Sequence, residues 1–224
     1  MCGRFTLFDS AASVAEGFGL AEVPSLSPRY NVAPSQEVAA VRIPAEGRAR
    51  EFALLRWGLV PSWAKDPSLG DRMINARSET AAEKPAFRSA IRRRRCLVPA
   101  SGFYEWKRMN GRKQPYFIGM RDRKIFGFGG IWESWEVAGG EVVLSCALLT
   151  TGPNDLLRPI HDRMPVIIAP RDFELWLSPE VKDSQALVPL FRPYPHAEMT
   201  AFPVGMAVNN PKTDAPGLIE PLAR

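Results

Sequence analysis

The chain has 224 residues, 46% of them hydrophobic, and a formal net charge of +5, which gives enough apolar material for one sizeable core and suits a polyanionic partner without requiring one. Its three cysteines, Cys2, Cys96 and Cys146, are odd in number and lack CxxC spacing, so neither a disulfide framework nor a zinc site is expected. With no apolar stretch behind a basic leader and no apolar run long enough to cross a bilayer, the expectation is a soluble cytoplasmic protein without membrane contact, built as one domain over residues 1–224.

The chain opens Met1-Cys2-Gly3-Arg4-Phe5. A small second residue permits removal of the initiator methionine, and Cys2 would then carry a free α-amino group beside its thiol. Reference pKa values of about 7.7–8.0 for the amine and about 8.5 for the thiol leave both partly deprotonated near neutral pH. With an aldehyde the amine gives an imine, and the thiol can close onto it as a five-membered thiazolidine. A cysteine merely tolerated near the start is the plainer reading of Cys2 taken alone.

Asp9 or Ser10 can cap a short Ala-rich helix that stops near Gly17-Phe18-Gly19. Prolines at 24, 28 and 34 preclude a regular helix over Ala21–Gln36, so Arg29-Tyr30-Asn31-Val32-Ala33-Pro34 is predicted to be an ordered loop. Strands are predicted at Glu37–Ile43, Glu51–Trp57, Cys96–Pro99, Gly102–Lys107, Tyr116–Met120, Lys124–Trp132, Val142–Thr150 and Pro165–Ala169. Asn110-Gly111 and Gly139-Gly140 supply hairpin turn signals. Helical patterns cover Ser78–Glu83, Pro85–Arg94, an Asn154–Leu157 turn and Pro170–Leu177. Strands and helices do not alternate, which predicts an α+β fold with a mainly antiparallel, barrel-like sheet and short peripheral helices.

Several polar groups fall inside apolar segments. Glu105 sits between aromatics in Gly102-Phe103-Tyr104-Glu105-Trp106, where burial would raise its pKa and suit it to proton transfer; the alternative is a carboxylate on a solvated strand face. His161, one of two histidines, is a candidate proton shuttle or a hydrogen-bonded surface residue. Asn75 could fix a substrate oxygen by its amide, or cap the helix expected nearby. His196 is read as structural. Arg92-Arg93-Arg94-Arg95 is read as a solvated charge run at a helix end. Arg4, Arg77 and Arg163 each lie beside a candidate catalytic group and could clamp a phosphate. Trp63 and Trp106 are candidate platforms for an unpaired base, whereas Trp57 and Trp132 are assigned to the core. Asn31 and Pro34 complete the candidate DNA-facing set, because ordered loops often line sites.

Taken together, Met1–Phe5, Arg29–Pro34, Arg56-Trp57-Gly58-Leu59-Val60-Pro61-Ser62-Trp63, Asn75-Ala76-Arg77-Ser78-Glu79-Thr80, Val98–Trp106 and His161-Asp162-Arg163-Met164-Pro165 resemble the SRAP family, the SOS-response-associated peptidase proteins. The matches run in order through nearly the whole chain. The resemblance implies an SRAP-like domain that captures abasic sites in single-stranded DNA through Cys2 once Met1 is gone, with autopeptidase release of Met1 as a further family property; weak lyase activity is an added expectation of this reading. It implies Asn75, Glu105 and His161 as the groups around that chemistry and Arg4, Arg77 and Arg163 on the DNA strand. The expected partner is single-stranded DNA containing abasic sites, engaged by a monomer that is nucleoid-associated when bound, in the service of the DNA damage response.

In that chemistry His161 would open the sugar hemiacetal and help dehydrate the carbinolamine, Glu105 would handle the amine proton, and Asn75 would hold the near-attack geometry. The nucleophile, acid and base are all side chains or the terminus, so no metal and no organic cofactor is called for. Two other readings stay open on the residues alone. One is a cysteine peptidase acting on other proteins, with Cys2 and His161 as nucleophile and base; the other is a non-covalent single-strand binding module.

Overall fold

The computed structural model describes residues 2–44, 47, 49–109, 111–136, 140 and 142–222. Thirteen strands and three short α-helices are assigned among them: β1 Phe5–Leu7, α1 Ala11–Phe18, β2 Arg29–Val32, β3 Glu37–Arg42, β4 Glu51–Trp57, β5 Asn75–Arg77, α2 Arg88–Arg93, β6 Arg95–Ala100, β7 Gly102–Met109, β8 Arg112–Met120, β9 Phe126–Glu136, β10 Val142–Thr151, β11 Met164–Pro165, β12 Ile167–Ile168, α3 Phe173–Leu177 and β13 Met199–Pro203. The predicted α+β class holds.

Five strands close into a barrel. β3 pairs antiparallel with β4 and β6, β6 and β10 pair antiparallel with β9, and a parallel contact of β10 with β4, Ser145 opposite Arg56, completes the ring. A second, five-stranded sheet runs β13-β8-β7-β1-β2. Both faces of β6, of most of β3 and β9 and of the second half of β10 are buried, which explains their nearly continuous apolar runs, whereas β4 is mostly half-buried. Val38, Ala40, Cys96, Val98, Cys146 and Leu148 point into the core shared with Phe5, Phe103 and Ile118 of the second sheet. The alternating residues Ala39, Val41, Leu97, Ala147 and Leu149 pack under Val14 and Phe18 of α1 and Phe173, Trp176 and Leu177 of α3.

Helix α1 follows its sequence signals. Ser10 accepts from the Ser13 amide at 3.1 Å, and Gly19 ends the helix at φ 64°, a conformation that costs glycine little. The expected loop at Arg29–Pro34 is corrected: Arg29–Val32 is a strand, because the edge of β1 is available to it, with Phe5 opposite Val32. The expected helix Ser78–Glu83 is a series of turns, closed by bonds such as Thr80 N–H to Arg77 O at 3.1 Å and Glu83 N–H to Thr80 O at 3.0 Å. The expected strand Pro165–Ala169 is two short ones, since β11 pairs with β10 and β12 with β9, and Val166 bonds to one strand on each side. The segment expected as one helix from Pro170 is a 3-10 turn, Pro170–Asp172, leading into α3. Of the two turn signals, Gly111 and Gly140 have φ of 79° and 90°, while Asn110 and Gly139 lie outside the described residues.

The Arg92–Arg95 run is not one solvated face. Arg95 is buried and donates to Trp176 O at 2.5 Å, Ile91 O at 2.8 Å and Ser178 O, fastening α2 and α3 to β6. Arg94 pairs with the buried Glu133 at 2.6 Å. Trp57 and Trp132 are both in the core, as expected.

Candidate active site

The pairing of β1 with β7 brings the start of the chain to Glu105. Phe5 lies opposite Phe103, and the Tyr104 amide donates to Arg4 O at 3.0 Å. Cys2, two residues earlier, is fully buried in the main core, and its thiol contacts Arg4 O at 3.8 Å. Burial, reinforced by the neighbouring Glu105 charge, holds that thiol far above its ordinary range, so it is protonated at neutral pH.

Asn75 arrives from another direction. It lies in β5, parallel to β10 with Leu148 opposite, and the preceding Ile74 carbonyl is held by the Trp57 indole at 2.9 Å. Its amide donates to Cys2 O at 2.8 Å, which removes the helix-cap reading, and its Oδ1 is a buried acceptor without a hydrogen-bond partner among the described residues.

His161 comes from the turn that follows β10, just before β11. Its Nε2 lies 3.9 Å from Glu105 Oε2. Its Nδ1 accepts the Arg163 amide at 3.0 Å, so in the neutral ring the hydrogen is on Nε2, the side facing Glu105. Asp162 Oδ1 is also 3.0 Å from Nδ1; that contact becomes a hydrogen bond only when the ring takes a second proton. Burial lowers the His161 pKa and raises that of Glu105 to about 7. Glu105 is 2% exposed, which decides in favour of the buried carboxyl over a solvated strand face. At neutral pH the ring is neutral and the carboxyl shares its population between acid and base, the condition under which one group can take up and return a proton.

Glu105 and His161 open onto a cleft of about 620 Å³ whose other walls include Trp106, Met206 and Asn209. The Trp106 indole donates to Asn209 Oδ1 at 2.7 Å. Arg4 braces this wall from behind, donating to Val208 O at 2.8 Å and Asn31 Oδ1 at 3.0 Å. The buried Asn31 in turn donates to Asn210 O at 3.0 Å and Thr213 O at 2.7 Å. Arg4 and Asn31 therefore shape the cleft wall. Arg163 makes a two-pronged bond to Glu79 at 2.7 and 2.8 Å and a further one to Thr150 O at 2.6 Å, which anchors the end of the turn carrying His161. Arg77 is exposed at the end of β5, and Pro34 is half-buried in the turn after β2. Trp63 is 59% exposed and lines a different cleft of about 640 Å³ with Lys65 and Arg72.

Three cations lining the Glu105 cleft were missed from the sequence: Arg108, Arg112 and Lys113. Their signal was available, since Lys107 to Lys113 carries four cations and no acid around an Asn-Gly turn.

The family model described as SOS response associated peptidase (SRAP) matches residues 1–211. The chain belongs to this family. Among SRAP relatives, the abasic site processing protein YoqW of Bacillus subtilis (strain 168) is 43% identical over 224 residues, covering 98% of this chain and 99% of the relative. The abasic site processing protein HMCES of Mus musculus is 34% identical over 232 residues, covering 87% of this chain and 65% of that protein. The crystal structure of a protein from Bacteroides thetaiotaomicron matches the fold with a TM-score of 0.89 at 26% identity, covering 99% of this chain and 100% of the other. Among the described residues no cluster of side chains suited to a metal ion occurs, and no helix is long and apolar enough to cross a membrane.

Proposed function

We propose that this SRAP protein processes abasic sites in single-stranded DNA by covalent capture at Cys2 after release of Met1. The observation that carries the reading is the convergence on Cys2: the Asn75 amide holds its carbonyl at 2.8 Å, and the charge of Glu105, which has a pKa of about 7 and faces His161 across their cleft, reaches its thiol. The names of the relatives, abasic site processing proteins, agree with it.

The chemistry runs amine first. His161 and Glu105 move the protons that open the sugar hemiacetal to its aldehyde, and the unprotonated Cys2 amine adds to the aldehyde carbon. Loss of water from the carbinolamine leaves an imine. The thiol sulfur then adds to the same carbon while the thiol proton passes to the imine nitrogen, by way of Glu105, and a thiazolidine closes. A protonated buried thiol suits this order, because the sulfur acts second and delivers its own proton. The same burial weighs against a general cysteine peptidase, which needs an accessible thiolate.

Intact-mass measurement after incubation with an abasic single-stranded oligonucleotide tests the proposal. The expected result is one adduct that survives denaturation with Met1-free protein, and a Cys2→Ser variant that yields at most a short-lived imine. An equally durable adduct from Cys2→Ser would overturn the thiazolidine, and no adduct with Met1-free wild type would overturn capture itself.

A further inference from the structure

The hairpin of β7 and β8 extends past the catalytic groups, and beyond Glu105 its end, residues 107–113, is charged in one sense only. Lys107, Arg108, Arg112 and Lys113 stand on it without an acidic residue, four positive charges in a protein whose net charge is +5. The register sets Arg108 directly opposite Lys113, and like charges facing each other across an antiparallel pair oppose hairpin formation. Six arginines elsewhere are neutralised: Arg29 by Asp214, Arg42 by Glu51, Arg50 by Glu174, Arg56 by Asp71, Arg94 by Glu133 and Arg163 by Glu79. Among the described residues, Arg108, Arg112 and Lys113 have no carboxylate within ion-pair distance. All three are exposed and line the cleft that holds Glu105 and His161. The charge of Arg108 also reaches His161, where it adds to the effect of burial in lowering the pKa.

We propose that this hairpin is a phosphate rail, on which Arg108, Arg112 and Lys113 carry the phosphodiester backbone of the lesion-bearing strand on one side of the abasic site. The proposal rests on the reading of the cleft as a DNA site and adds the direction in which the strand leaves it. Arg163 is held by Glu79 and Arg4 by Val208 and Asn31, so the backbone needs cations that are not already engaged. The hairpin supplies them next to the chemistry. A polyanion also relieves the Arg108–Lys113 repulsion, so the hairpin should stiffen when it binds.

The test uses an undamaged single-stranded oligonucleotide, so its outcome does not depend on whether Cys2 captures anything. Affinity is measured against salt for wild type, for R108Q/R112Q/K113Q, and for R88Q/R92Q/R93Q on α2. Each single-strand phosphate neutralised contributes about −0.7 to the slope of log affinity against log salt, so the hairpin variant should flatten the slope by about 2. The α2 variant should keep the wild-type slope. An unchanged slope for the hairpin variant, or an equal loss for the α2 variant, overturns the rail. Melting curves guard against misfolding, and Arg112→Gln alone, at the tip, should flatten the slope by about 0.7 if the triple variant fails to fold.

Discussion

Glu105 illustrates how one residue's surroundings set its chemistry. Its neighbours Tyr104 and Phe103 are buried with it, and removal from water raises its carboxyl from the ordinary 4.5 to about 7. The folded state therefore binds this proton more tightly than the unfolded chain does. The stability associated with the neutral carboxyl is complete below about pH 4.5 and is lost as pH rises through about 7. Glu105→Gln, which stays neutral, should accordingly stabilise the fold at pH 8 by up to about 3 kcal/mol and have little effect at pH 4. Denaturant unfolding of both proteins at the two pH values measures the difference. The same shift should appear in the reaction. If Glu105 acts as base, the rate of crosslinking rises through pH 7 as it ionises, and Glu105→Gln should lose that limb while keeping any limb near pH 8 that belongs to the Cys2 amine. Rapid-quench time courses between pH 5 and 9 resolve the two.

Short elements do much of the positioning, because the site is drawn from segments far apart in the chain. β1 is three residues long, yet its pairing with β7 on one side and β2 on the other fixes where the N-terminus lies. β5 is equally short and is held as a parallel neighbour of β10, which carries Asn75 to Cys2. The wall at Met206–Asn209 has no strand ladder of its own and depends on Asn31, whose amide holds Asn210 O and Thr213 O while its oxygen receives Arg4. Asn31→Ala takes the donor from the Asn210 and Thr213 carbonyls and one of two acceptors from Arg4, and should cost about 1–3 kcal/mol in unfolding free energy. Hydrogen exchange should show the added opening concentrated in residues 206–213, and the apparent affinity for DNA should weaken more than the maximal crosslinking rate.

At the scale of the molecule, one buried cation adds a polar tie between the closed barrel and the helices α2 and α3. Arg95, at the start of β6, reaches Ile91 in α2 and Trp176 and Ser178 at α3, and the Trp176 indole returns a bond to Cys96 O at 2.8 Å. Arg95→Met keeps much of the volume but leaves carbonyls without donors, and should destabilise the whole fold by about 3 kcal/mol. A lowered denaturant midpoint with an unchanged slope would place the loss in the native state, whereas a changed slope would mean that the helices detach before the barrel opens.

The sequence by itself determined most of what is local. Strand-like runs bounded by turn signals located the barrel strands, and β4 was predicted with its observed bounds, because strand-forming composition is written in a segment's own residues. Ser10 and Gly19 mark α1 because capping acts within a few residues. The motifs that resemble SRAP also contain Cys2 and Asn75, which are joined by a hydrogen bond, and Glu105 and His161, which line one cleft. What only the tertiary structure decided is what depends on distant partners. Arg29–Val32 became a strand because β1 offered an edge, and Ser78–Glu83 became turns although its composition suits a helix. Arg4 and Asn31 brace the cleft wall, and Arg163 holds Glu79. A guanidinium's role is set by which carbonyl or carboxylate comes within about 3 Å of it, and that distance comes from chain segments up to 204 positions apart. The pKa of Glu105 belongs to the same class, since burial is a property of everything packed around a group and of no stretch of sequence alone.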